Sequence, residues 1–405
     1  MKTVDALRQW GGWWVARFAM GLALFYGVDR LLKLWALHHF FRRPAPPLPA
    51  GGWPTVTLLS PITRGVSNLP NALACRAGLV YPAVVQHLLI CDEGDGEAIA
   101  CCRAWQAAHP TLASTLVVVT TAERAIATKI EKLNAALPHA TGDVLLFVDD
   151  DVALRPTTLT TLLPHLATAR AGAVFGLACY SSWHNLPTSL MSAFVNGNAL
   201  LSYVPLTYLV EPFTITGHCF ALRRADFLAA GGLENLDKRV DDDHELARRL
   251  RKLGLRSVQT PLIYDVENHF PSLAGYVQQM RRWFVFPQWL MVPHLTVHER
   301  VAMTAGSLST AVPPLLALLA LLTRRTTVWR ALAGTLLVLN GVQWFCERYY
   351  LGRRTPWYWW PLYSVSALLA PLQILAALLG RRTVHWRGQR LRFDDAGQVV
   401  FERDD

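Results

Sequence analysis

The chain changes texture twice. From Trp10 to about Leu37 it is mostly apolar, with an uncharged stretch at 18–28 bounded by Arg17 on one side and by Asp29, Arg30 and Lys33 on the other. From Trp53 to about Pro271 short β-rich runs at 56–59, 84–90, 116–119, 144–148 and 173–175 alternate with helical stretches. Strands separated by helices predict an α/β domain whose mostly parallel sheet is covered on both faces. Three long apolar stretches follow, at 301–322, 329–345 and 357–379. The first and third reach the roughly 20 residues that a membrane span needs, and the second, with 17, is borderline. Pro313, Pro314, Pro361 and Pro371 in these stretches permit kinks that neighbouring helices can absorb.

This patterning predicts a membrane anchor at 1–43, a stiff Pro-rich linker at 44–52 and an α/β domain with an interfacial helix at 53–290. A C-terminal membrane region at 291–380 and a basic cytosolic tail at 381–405 complete the chain. The 18–28 stretch is short for a span, so its charged ends must snorkel. No small-residue cleavage pattern follows it, which argues against a cleaved signal peptide. One crossing before the α/β domain and three after it would export the basic tail, against the tendency of positive charge to stay inside, so the third stretch is expected to be re-entrant or interfacial. The net charge of +10 comes largely from pairs such as Arg42-Arg43, Arg324-Arg325 and Arg353-Arg354 beside apolar segments. That placement suits a lipid bilayer, and no recognised module or aromatic-basic interleaving suggests nucleic acid. Seven cysteines without a Cys-x-x-Cys spacing read as small buried hydrophobes in a reducing compartment.

The chemistry concentrates in carboxylates. Asp149, Asp150 and Asp151 follow directly on the apolar run 144–148, which reads as a buried strand delivering them to the carboxyl edge of the sheet, where open α/β sheets bind ligands. Carboxylates gathered there repel one another and call for a cation. Hard oxygen ligands suit Mg2+ or Mn2+, which would hold a nucleotide diphosphate, with Asp149 and Asp151 as the metal candidates. A Ca2+ loop of the EF-hand type lacks its glycine and its acidic twelfth position. Asp92 ends a neighbouring strand, where a carboxylate can accept hydrogen bonds from a base or a sugar. No Gly-x-Gly-x-x-Gly follows any strand, so a Rossmann-type dinucleotide site is not expected. Asp241, Asp242 and Asp243 open a predicted helix at 240–254 that ends in basic residues, as the helix dipole favours. A carboxylate at a pocket mouth can serve as general base. Gln279 and Trp283 share a helix face, beside arginines able to pair with a diphosphate. His218, His244 and His269 could add a metal ligand, though no fixed spacing marks them.

In chain order, Asp92, Asp149-x-Asp151, Asp243 and Gln279-x-x-Arg282-Trp283 resemble the D, DxD, D, (Q/R)xxRW signature of family 2-type glycosyltransferases with a GT-A fold. Leu59-Ser-Pro-Ile-Thr-Arg-Gly65, Lys129-Ile-Glu-Lys-Leu133, Thr216-Gly-His-Cys-Phe-Ala-Leu-Arg-Arg224 and the tail Val384-His-Trp-Arg-Gly-Gln-Arg-Leu-Arg392 are similar to segments of the ceramide glucosyltransferase branch (family 21). The branch's animal members carry Asp-Ser-Gly where this chain has Asp149-Asp-Asp151, and Glu-Asp where it has Asp242-Asp243. The resemblance implies an inverting, UDP-sugar-dependent hexosyltransferase acting on a membrane lipid, with ceramide as the expected acceptor and glucose as the expected sugar. Hopanoid or other lipid transferases and polysaccharide synthases look similar. By resemblance Ser60, Asp92, Lys129 and Asp149 hold the nucleotide sugar, Asp149 and Asp151 the Mg2+ or Mn2+, Asp243 takes the acceptor proton, and Gln279, Arg282 and Trp283 complete the catalytic set. A multi-pass membrane protein with its catalytic domain facing the cytosol is the expected setting.

Overall fold

The computed structural model describes residues 2–48, 51–63, 65, 68–121, 128–237, 239–380, 383–386, 389–393 and 399–401. Arg64 of the first-strand segment, Arg381 and Arg382, and Arg387-Gly388 of the C-terminal motif lie outside them. A 40-residue helix α1 (Lys2–Phe41) comes first. The α/β region follows as β1 (Val56–Pro61), α2 (Leu69–Ala77), β2 (Val85–Asp92), α3 (Gly96–Ala108), β3 (Ser114–Val119), α4 (Thr128–Ala136), β4 (Val144–Val148), β5 (Val152–Ala153), α5 (Thr158–Leu162) and β6 (Ala171–Tyr180). It continues through α6 (Leu186–Leu206), β7 (Cys219–Arg223), α7 (Arg224–Ala229), α8 (Asp242–Lys252), β8 (Arg256–Val266) and α9 (Leu273–Phe286). Helices α10 (Val297–Ser307), α11 (Val312–Thr323), α12 (Thr326–Cys346) and α13 (Leu362–Leu379) precede a small antiparallel sheet of β9 (Thr383–Trp386), β10 (Gln389–Phe393) and β11 (Val399–Phe401).

The main sheet has eight strands in the order β3-β2-β1-β4-β7-β6-β8-β5. Neighbours β3-β2, β2-β1, β1-β4 and β6-β8 are parallel, and β7 runs antiparallel to both β4 and β6. All five strands expected from the apolar runs are present. The run at 173–175 is the middle of a ten-residue, fully buried strand, and β5, β7 and β8 add to the expectation. Strand β8 escaped notice because Ser257, Gln259 and Thr260 interrupt its apolar pattern, yet all three are buried. Gln259 and Thr260 donate hydrogen bonds to the Phe175 carbonyl, beside the irregularity in the β6-β8 register.

One face of the sheet packs β1, β4 and β6 against α6 and α13, through residues such as Leu146, Val174, Met191 and Tyr363. The other packs Phe147, Phe175 and Phe220 against α4, α7 and α8. A third cluster joins Leu37 and Phe40 at the end of α1 to Leu177, Ile263, Leu200 and Val342. The end of α1 and parts of α12 and α13 are therefore seated on the sheet, while α11 packs on α1, α12 and α13. Their outer faces carry exposed Leu24, Leu31 and Trp35 on α1, Leu321 and Leu322 on α11, Leu337 and Trp344 on α12, and Leu372 and Leu379 on α13. Contiguous exposed apolar surface of this kind marks a partner or a membrane. Two segments among the described residues are long and apolar enough to cross a membrane, Val297–Thr323 and Trp357–Leu379. The stretch expected to be interfacial is thus one of the two best suited by length to span.

Candidate active site

The site is built at the carboxyl edge of the parallel strands, where β1, β2 and β4 stop together. Their registers put Val56 opposite both Val85 and Val144, which aligns the exits at Pro61, Asp92 and Val148. Asp92 is buried; its Oδ1 accepts from the Gly94 amide at 3.0 Å and its Oδ2 from the Thr121 hydroxyl. Ser60, on β1, is fully buried and its hydroxyl has no hydrogen-bond partner among the described residues. Helix α4 docks across the same exits, because the buried Lys132 ammonium donates to the Ile62 carbonyl at 2.6 Å. That contact brings Lys129 in one turn earlier on the helix.

Lys129 is the electrostatic centre. Its Nζ lies 2.8 Å from Asp149 Oδ1 and 3.7 Å from Asp242 Oδ2. Burial works to lower its pKa, but Asp149 and Asp242, with Asp243 further off, outweigh it and hold the ammonium charged well beyond the usual lysine range. Two acidic segments almost a hundred residues apart in sequence thus meet on one cation. Helix α8 begins with Asp241 held by the Arg239 guanidinium at 2.8 and 2.9 Å, which leaves Asp242 to face Lys129. Asp243 accepts from the His244 amide at 2.7 Å, and burial, then the neighbouring Asp242, pushes its pKa up to about 7. Gly217 lies against it: a Cβ there would stand 2.9 Å from Asp243 Oδ2, so the loop before β7 passes this carboxylate with no room for a side chain.

The Asp149–Asp151 run divides its labour. Asp149 faces Lys129, while its main-chain amide donates to the His218 carbonyl at 2.9 Å. Asp150 turns inward and accepts from the Thr63 amide, so it ties the strand exit to the loop after β1. Burial, followed by repulsion from Asp149 and Asp150, pushes Asp151 well above the usual carboxylate range, and its buried Oδ1 has no hydrogen-bond partner. An orphaned, desolvated carboxylate oxygen beside another carboxylate fits a hard divalent cation. Among the described residues no group of three or more His, Cys, Asp or Glu side chains converges as a metal cage. Asp149 and Asp151 could therefore be two carboxylate ligands of such an ion, with the remaining positions left to non-protein oxygens, a division usual for Mg2+. His244 is packed against His294 and pushed down to about 4 by burial, and His269 pairs with His184 at 2.7 Å.

Gln279, Arg282 and Trp283 sit half-buried on α9, whose N-terminus is capped by Ser272 accepting from the Gly275 amide. Trp283 meets Tyr180, at the end of β6, edge-on at 6.3 Å between ring centroids, and Phe194 of α6 at the same separation. Burial raises the pKa of Tyr180, Asp151 adds to that and Arg282 opposes it, so this phenol lies within electrostatic reach of both the aspartate run and α9. The expected residues thus fall into two groups at one sheet edge: Ser60, Asp92, Lys129, Asp149, Asp151 and Asp243 on the sheet side, Gln279, Arg282 and Trp283 on α9. Tyr180 and Arg76 were not singled out by sequence. Tyr180 could have been found as the exit of an apolar run. Arg76 could not, because nothing in α2 distinguishes it from a surface arginine, yet it is buried with its guanidinium on the Asp149 carbonyl at 3.3 Å.

The eight-stranded mixed sheet, with carboxylates, a lysine and an arginine-bearing helix around its carboxyl edge, is of the GT-A fold class. The same fold occurs in the mannosyltransferase PcManGT from Pyrobaculum calidifontis, solved with GDP-Man and Mn2+, at 19% identity and a TM-score of 0.51 over 89% of this chain and 99% of that one. Weaker likenesses are to glucosyl-3-phosphoglycerate synthase from Mycobacterium tuberculosis with Mg2+ and UDP (15% identity, TM-score 0.35, 55% of this chain and 73% of that one) and to S. aureus TarS 1-349 with UDP-GlcNAc (12%, 0.38, 87% and 100%). The chain belongs to glycosyl transferase family 21, whose model matches residues 16–399.

Proposed function

We propose that this enzyme transfers glucose from UDP-glucose, with inversion, to a hydroxyl of a membrane lipid, and that the lipid is ceramide. The observation that carries the reading is the convergence of Asp149, Asp242 and Asp243 around Lys129, next to a helix bearing Arg282 and Trp283 that packs directly on the apolar α13. A water-soluble acceptor would need no such union of sugar chemistry with apolar helices. Family membership supports sugar transfer, and the exposed apolar faces of α1, α11, α12 and α13 support a bilayer setting.

In this reading Asp92 and Ser60 receive the nucleoside end of the donor, and Lys129 neutralises part of the diphosphate. A bound Mg2+ or Mn2+, held by Asp149 and Asp151, would supply electrostatic stabilisation of the departing diphosphate. Arg282 adds bidentate donors on the side away from the sheet. Asp243 takes the proton from the acceptor hydroxyl as its oxygen attacks the anomeric carbon opposite the leaving group; its elevated pKa suits a base working near neutrality. In-line displacement converts an α-linked donor to a β-glycoside. Gln279 and Trp283 close the site on the lipid side, with the catalytic domain on the cytosolic face and the basic flanks holding it there.

Mass spectrometry of lipids from a host expressing the protein and supplied with candidate acceptors tests the reaction. A new hexosyl-ceramide is expected; sugar found only on soluble or polymeric products refutes the lipid reading. A single cysteine introduced at Glu234 should resist an impermeant reagent in sealed right-side-out vesicles, and labelling there overturns the orientation.

A further inference from the structure

Behind the Phe194–Trp283 contact, between α1, α6, α12 and α13, lies a cavity of about 60 Å3 that the reaction chemistry does not use. Phe194, Leu339, Val342 and Ile374 make its wall largely apolar. Pro371, inside α13, lines it as well, and α6 and α13 approach so closely beside it that a Cβ on Gly197 would stand 3.3 Å from the Tyr363 ring. Two polar groups face this space unmatched. Gln343 is 2% exposed and its amide nitrogen has no hydrogen-bond partner; Ser366 is 2% exposed and its hydroxyl has none. Arg30 also lines the space; its Nε lacks a hydrogen-bond partner but pairs with the Asp29 carboxylate at 3.3 Å. Arg30 donates to Ser309 at 2.8 Å and lies over the Tyr26 ring, and the Asn198 amide donates to the Phe194 carbonyl at 2.7 Å.

We infer that this cavity receives the N-acyl linkage of the lipid acceptor, with the Gln343 amide donating to its carbonyl and the Ser366 hydroxyl accepting from its N–H. The inference rests on the lipid-acceptor reading above and names the chemistry that selects the lipid. A buried donor left without a partner costs folding free energy and persists where a ligand uses it. An orphaned donor beside an orphaned hydroxyl matches a secondary amide, which has one acceptor and one donor; an ester would leave the hydroxyl without its N–H. Place agrees with chemistry. Phe194 forms both a wall of the cavity and a face of Trp283, so a lipid anchored at Gln343 lies beside α9. The cavity is too small for whole acyl chains, as a site for a linkage should be.

The test uses the full-length protein in detergent micelles with a fluorescent-tailed N-acyl amino-alcohol lipid and its ester counterpart of equal chain length. The wild type should bind the amide about tenfold more tightly than the ester. Gln343→Leu and Ser366→Ala should each erase most of that difference and raise the acceptor KM by about the same factor. The UDP-sugar KM and the rate of donor hydrolysis should stay at wild-type values, and Ser366→Thr should restore preference. Thermal stability of Gln343→Leu should be equal or higher, since an unmatched donor is removed, whereas a purely structural role would lower it. Equal binding of amide and ester by the wild type, or variants that retain the preference, would overturn the assignment. Gln343-dependent amide binding without transfer to any lipid would sustain the cavity while refuting the acceptor role proposed for the enzyme.

Discussion

Replacing Asp243 by Asn removes the proposed base while keeping its size and its acceptance of the His244 amide. A lost proton acceptor typically costs 10²- to 10⁴-fold in turnover, or roughly 3–5 kcal/mol of transition-state stabilisation. The structure adds a pH signature. With the carboxyl pushed up to about 7 by burial and then by Asp242, wild-type kcat/KM should fall about tenfold for each pH unit below that value, because only the ionised form accepts a proton. Asp242→Asn removes the like charge, so the acidic limb should move to lower pH. Burial raises the folded pKa above the unfolded one, so the folded state binds the extra proton. The stability contributed by Asp243 is therefore complete below pH about 4 and lost as pH rises toward 7. Asp243→Asn should accordingly be no less stable than the wild type at pH 8, which separates a lost base from a lost fold. The assay is initial-rate transfer to micellar acceptor between pH 5.5 and 9, with donor affinity measured by calorimetry. If Asp243→Asn keeps the acidic limb in place, or weakens donor binding while turnover at saturation persists, the base lies elsewhere.

Asp151→Asn should weaken Mn2+ binding, read by electron paramagnetic resonance in the presence of UDP, and lower turnover by several kcal/mol; unaltered Mn2+ affinity would remove this residue from the metal site. Gly217→Ala would drive a Cβ to 2.9 Å from Asp243 Oδ2, so kcat should fall by roughly 10- to 100-fold with the UDP-sugar KM little changed, as expected when a base is misplaced by a fraction of an ångström. Glu245 gathers Arg239, Arg248 and Arg249 behind the acidic end of α8. Glu245→Gln should cost about 2 kcal/mol by chemical denaturation at pH 7, less than a fully buried pair because Arg248 is 30% exposed. These arginines hold the Glu245 pKa below its usual value despite burial, so its contribution is present above pH about 4.5, and the cost should shrink as pH falls through the lowered folded value.

The sequence by itself determined what periodicity and adjacency can carry. Five apolar runs announced β1, β2, β3, β4 and the middle of β6, and the acid-to-base gradient from Asp241 to Lys252 announced α8, because strand burial and helix dipoles act over a few residues. The ordered series Asp92, Asp149, Asp151, Asp243, Gln279, Arg282 and Trp283 could be picked out as candidates, through motifs rather than through contacts. Only the tertiary structure decided which carboxylates share a cation. Lys129, Asp149 and Asp242 are brought within 4 Å by the β1-β4 register and the docking of α4 on Ile62, and no local pattern encodes that meeting. Arg76 and Gln259 look solvent-exposed in sequence because a polar residue on a helix or strand is normally turned to water, and Gln343 is not marked within its apolar run. Each is buried, because elements distant in the chain close over it. The terminal helices obeyed the same limit. Their apolarity could be counted residue by residue, but it took long-range packing to bury Leu37, Val342 and Tyr363 against the sheet while leaving Leu31, Leu337 and Leu372 outside.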